Sequence, residues 1–157
     1  MYKIHRLLSA FIFILTFLTT LFLEADYSRV SEIAISIVSI SLAVYIGAAS
    51  VLLGSDFAKK LKDINDPEIK TSTQLGVLSA YLRIAGKWSI VTILASAIYI
   101  LDFNWNSIIK LLNLNGKFII EIVSTTVSSF CCSVFVLNVY FMWLIMIFLI
   151  NAMNKSV

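Results

Sequence analysis

The sequence predicts an all-α integral membrane protein, a single four-helix bundle over residues 1–157 with both chain ends in the cytosol. Three observations carry this. Of the 157 residues, 60% are hydrophobic and 13% charged, against roughly 45–50% and 25% in soluble domains. Four apolar runs stand at residues 7–23, 30–54, 88–101 and 118–150, each near or above the roughly 20 residues that cross a hydrocarbon core of about 30 Å. The basic residues are distributed unequally. With the N-terminus inside, nine fall on the inner side (Lys3, Arg6, Lys59, Lys60, Lys62, Lys70, Arg83, Lys87 and Lys155) and three on the outer (Arg29, Lys110 and Lys117). Cytosolic loops carry such an excess.

The runs must be helices, because backbone polar groups in lipid have to pair within the segment. The expected spans are 5–24, 30–65, 67–101 and 118–151. The first follows Lys3 and Arg6 like the start of a signal peptide. It is too long for one and has no small-residue cleavage site, so it reads as an uncleaved anchor.

The second span is drawn past the membrane because Phe57, Leu61 and Ile64 share one helical face. Asp66 then fits an N-cap, Pro67 the first helical position and Glu68 the positive end of the helix dipole. Helices two and three would each run about 35 residues, or about 50 Å. A cytosolic hairpin would project, with Asp66-Pro67 at its tip. On the outer side, Trp105, Ile108, Ile109 and Leu112 lie on one face. They predict a short amphipathic interfacial helix over 104–114.

Two rows of small residues invite close helix approach. On the second helix the row is Ser36, Ser39, Ala43, Gly47, Ser50 and Gly54. On the fourth, Ser124, Ser128 and Cys132 run beside Thr125, Ser129 and Ser133. Such rows pack helices within a protomer or between protomers. Cys131 and Cys132 lie mid-helix and read as packing residues, not as a redox pair. Arg83 and Lys87 form a basic pair near the inner boundary, suited to snorkelling or to anionic lipid. Glu121 is placed at the outer interface. Asn138 lies deeper and is expected to bond to another helix.

No catalytic signature appears. There is no nucleophile elbow and no phosphate-binding glycine loop, and the single histidine, His5, has no metal-binding partner in sequence. The acids Asp56, Asp63, Asp66 and Glu68 alternate with lysines as a solvated face would. The protein is therefore expected to be no enzyme, with no cofactor, no metal and no direct nucleic-acid contact.

Size, helix count and topology resemble two groups of small bacterial proteins. One is the membrane subunit of the Kiwa anti-phage defence system, which works with a cytosolic DNA-binding partner. The other is the four-helix immunity protein against pore-forming colicins. Neither resemblance rests on matched residues, so no functional residue is carried over. The long hairpin favours the first. It implies a homo-oligomer, here taken as a tetramer, in the bacterial inner membrane. That assembly would contact lipid, sense phage-caused disturbance and recruit or regulate a cytosolic effector. The expected docking residues are Lys59, Lys60, Lys62, Asp63, Asp66 and Lys70. Alternatives are a holin-like pore or an immunity protein.

Overall fold

The computed structural model describes residues 2–54, 56–67, 69, 72–101 and 117–154. All of its regular elements are helices: α1 (Lys3–Phe22), α2 (Ser28–Gly54), α3 (Asp56–Asp63), α4 (Gln74–Ile100) and α5 (Lys117–Asn154). Every helix except α3 is long and apolar enough to cross a membrane. The interfacial helix expected at 104–114 lies outside the described residues.

α2, α4 and α5 pack on one another, and α1 lies outside them on α5. α1 is the peripheral member, with Ser9 its only buried described residue. Tyr2 and Asn151 line the same cavity, so the first and last described turns share one end. We call this the α3 end, and its opposite the Tyr27 end.

The α1–α2 link at the Tyr27 end is tightly built. Glu24 N–H donates to Leu21 at 3.3 Å and Ala25 N–H to Thr20 at 3.0 Å, the paired bonds that close a helix through a left-handed residue. That residue is Glu24, at φ 49°, where an L side chain costs about 1–2 kcal/mol. Glu24→Gly is expected to stabilise the protein by about 1 kcal/mol. A raised thermal midpoint checks this. Asp26 then receives the Ser28 amide at 3.0 Å and the Ser28 hydroxyl at 2.7 Å. The hydroxyl first, then the amide, hold its carboxyl below the ordinary 3.8. This contact is complete above that value and lost as pH falls through the lowered one.

The α3 end departs from expectation. The predicted helix over 67–101 begins at Gln74, and its N-cap is Thr73, whose hydroxyl accepts the Gly76 amide at 3.2 Å. Asp66 does accept an amide proton as a cap would, from Ile69 at 2.8 Å, but neither Pro67 nor Ile69 is helical. The Ser72 amide donates to the Ile69 carbonyl at 2.8 Å. Paired bonds, Asp66 N–H to Ser72 at 2.9 Å and Gln74 N–H to Ile64 at 3.0 Å, then hold the loop's two ends together. α3 does not stand off as half of a projecting two-helix hairpin. Its Leu61 is buried against Leu78 of α4, with Phe148 and Leu149 of α5 packed alongside. The physical reason is the length of α5. Its 38 residues span about 57 Å, and the overshoot supplies a third apolar surface for α3. The result is a compact three-helix cap.

Candidate functional site

At mid-bundle, α4 and α5 meet along small and polar residues. Ser89, Thr92 and Ser96 on α4 and Ser128, Ser129 and Ser133 on α5 are all buried. Their small volume brings the backbones together, and Asn138 joins them. Its carbonyl oxygen accepts from Ser89 at 2.9 Å. Its amide group donates to Thr92, to the Trp88 carbonyl at 3.1 Å and to the Val134 carbonyl at 3.2 Å. The bond expected from Asn138 to another helix is present. Ser89 and Thr92 also return bonds to their own helix at 2.9 Å each. The Ser89 proton is shared between Ala85 and Asn138, and both the oxygen and the nitrogen of the Asn138 side chain have partners.

The two small rows prove opposite in kind. On α5, Ser128 and Ser129 face inward, Cys132 is half-buried and Ser124 is exposed. The Ser129 hydroxyl has no hydrogen-bond partner among the described residues, so its contribution is its small size. On α2 the buried face is Ser31, Ala34, Val38, Ser41 and Tyr45. The small row stands two residues further on, about 200° around the helix. Ser36, Ser39, Ala43 and Ser50 are accordingly exposed. A Cβ on Gly47 would meet nothing within 4 Å, and Gly54 closes the helix. Cys131 is buried beside Tyr27 and Ala34, as a packing residue would be. Glu121, Arg83 and Lys87 are exposed.

Tyrosines anchor both ends of the bundle, and sequence reasoning missed them. At the Tyr27 end, Tyr27 is fully buried. Its amide donates to the Ser128 hydroxyl at 2.7 Å, and that hydroxyl donates to the Ala25 carbonyl at 2.7 Å. The Tyr27 hydroxyl pairs with Ser96 at 2.6 Å. At the α3 end, the Tyr2 hydroxyl donates to Asp66 at 2.6 Å, and the Tyr2 amide donates to the Tyr81 hydroxyl at 3.2 Å. His5 Nδ1 lies 2.6 Å from the same hydroxyl. The signal available was the tyrosines flanking the apolar runs, Tyr2 and Tyr27 around the first and Tyr81 before the third, since a buried tyrosine hydroxyl requires a partner.

This arrangement corrects the docking set. Asp66 is buried at 2% exposure and ties the cap to α1, so it presents nothing to a partner. Lys59, Lys60, Lys62 and Asp63 are exposed on α3, opposite the buried Ala58 and Leu61. Lys70 lies outside the described residues. Asp66→Ala is expected to remove about 1–2 kcal/mol of local stability. Amide exchange at Ile69 should then run about tenfold faster. An unchanged rate would show that the turn closes without the carboxylate.

Among the described residues, no three histidine, cysteine or acidic side chains gather as a metal site requires. Fold and site together define a multi-pass helical bundle of membrane character. Compared with family models, curated proteins and solved structures, the chain finds no match.

Proposed function

We propose that this protein is a non-enzymatic subunit of a bacterial inner membrane. In this reading it self-associates and recruits or regulates a cytosolic effector. The observation that carries it is the outward small-residue row of α2. Among the described residues nothing covers that face, and in lipid such a face associates by close backbone approach. The second support is the cap. It is held to the bundle by Leu61 and Asp66, and it offers Lys59, Lys60, Lys62 and Asp63 on its outer side. The excess of lysine and arginine at this end supports a cytosolic side for it and for both chain termini. Resemblance to the Kiwa membrane subunit adds the biological setting, a sensor of phage-caused membrane disturbance.

Reversing Lys59, Lys60 and Lys62 to glutamate is expected to release a co-purifying soluble partner while leaving the membrane assembly whole. Retention of that partner by the reversed protein would defeat docking on this face. A second reading is a pore. Asn138 ties α4 to α5, so this reading puts the pore between protomers, lined by the small row of α2. It predicts dye leakage from liposomes that the lysine reversals do not abolish.

A further inference from the structure

We propose that the groove between α1 and α4 holds one anionic phospholipid, its phosphate at Arg6 and one acyl chain in the cleft beyond. α1 rests on α5 and meets α4 at the α3 end through Tyr2 and His5. Beyond that point the two helices part, leaving a cleft of about 720 Å³. Its floor is Leu137 and Phe141 of α5, and its walls include Phe13, Ile84 and Trp88. Ala10 and Ile14, on the α1 wall, are exposed, so the cleft opens sideways, where lipid would lie.

Length and charge specify the occupant. From Arg6 to Ile14 is eight residues, about 12 Å of helix, close to the roughly 15 Å half-thickness of a hydrocarbon core. Arg6 is the only charged lining residue among the described residues, and it stands at the α3 end. No hydrogen bond or ion pair engages its side chain among the described residues. α1 and α4 both run away from the α3 end, with His5 level with Tyr81. Arg83 therefore stands near the height of Arg6, and Lys87 about 6 Å deeper. Each directly precedes a wall residue, Ile84 or Trp88. A lipid with one negative phosphate and a chain reaching mid-bilayer matches this gradient. A wholly apolar ligand would leave Arg6 unused, and a soluble anion would leave the cleft empty.

The site rests on the membrane placement of α1 and α4, and on neither self-association nor partner docking. The test is native mass spectrometry of the full chain in detergent, titrated with phosphatidylglycerol or phosphatidylcholine of identical chains. The wild type is expected to retain one phosphatidylglycerol about fivefold better. That is the scale of one basic residue near a membrane surface. Arg6→Gln should bring the two lipids to parity. Ala10→Trp, at an exposed position, should fill the groove and weaken both lipids while keeping the wild-type thermal midpoint. Lys60→Gln, which removes an exposed charge from α3, should leave the preference intact.

Phosphatidylglycerol preference surviving in Arg6→Gln, or both lipids binding Ala10→Trp as they bind the wild type, overturns the proposal. So does equal loss in Lys60→Gln, or displacement of the lipid by excess glycerol 3-phosphate. Wild-type protein that stays in solution without detergent defeats the membrane placement itself. Detergent-dependent protein with no lipid preference defeats this site alone.

Discussion

Asn138→Asp is expected to be the most damaging single substitution among those proposed, lowering stability by about 3 kcal/mol. The asparagine is buried at 3% exposure. Its amide nitrogen donates to the carbonyls of Trp88 and Val134. Aspartate would turn that donor into an acceptor facing two acceptors. It would also set an ionisable group mid-helix in lipid, a cost of about 2.5–3.5 kcal/mol. Asn138→Leu should cost less, about 1–2 kcal/mol, the range measured for polar contacts between membrane helices. The leucine variant orphans little, because Ser89 and Thr92 keep their bonds to Ala85 and Trp88. Thermal midpoints of the two purified variants decide the matter. Aspartate no worse than leucine would mean that the α4–α5 seam admits water.

The second large effect concerns assembly. Ala43→Leu with Gly47→Leu should weaken self-association about tenfold or more, a loss of about 1.4 kcal/mol, because two branched side chains block close backbone approach. The protomer itself should gain. A Cβ on Gly47 meets nothing within 4 Å, Ala43 is exposed, and replacing glycine in a helix interior contributes up to about 1 kcal/mol. Opposite signs for stability and association separate this result from misfolding. Single-molecule photobleaching in nanodiscs reads the association, and the thermal midpoint reads the protomer. Unchanged association would remove the α2 row from the account.

Much of the fold was legible because lipid imposes a strong constraint. Long apolar runs can only be helices there, and the four expected spans overlap the four long helices. Asn138 was legible for the same reason, since an amide that deep must find a partner. The facing of α2 was not. Its buried row (Ser31, Ala34, Val38, Ser41, Tyr45) and its exposed row (Ser36, Ser39, Ala43, Gly47, Ser50) have the same helical spacing. Period alone assigns neither to the core.

The α3 end was misread through a local rule. Asp66-Pro67 carries every feature of a helix start. The competing signal was Thr73, a second N-cap candidate seven residues on. Asp66 also accepts from Tyr2, 64 residues away in sequence, a contact that no local pattern reveals. The same distance hid the tyrosine anchors. Tyr2 meets Tyr81, and Tyr27 meets Ser96, across separations of 79 and 69 residues. The charged face of α3 was legible as a face, but Asp66 was wrongly included in it.

In the proposed function this bundle self-associates and holds a soluble partner on its α3 cap. Native mass measurement of the gently extracted wild-type protein tests it most directly. The expected species is a multiple of the 17.6 kDa chain carrying an additional soluble protein. That protein should be lost on reversing Lys59, Lys60 and Lys62, while the multimer survives. A wild-type species at the mass of a single chain, with nothing soluble attached, would contradict it.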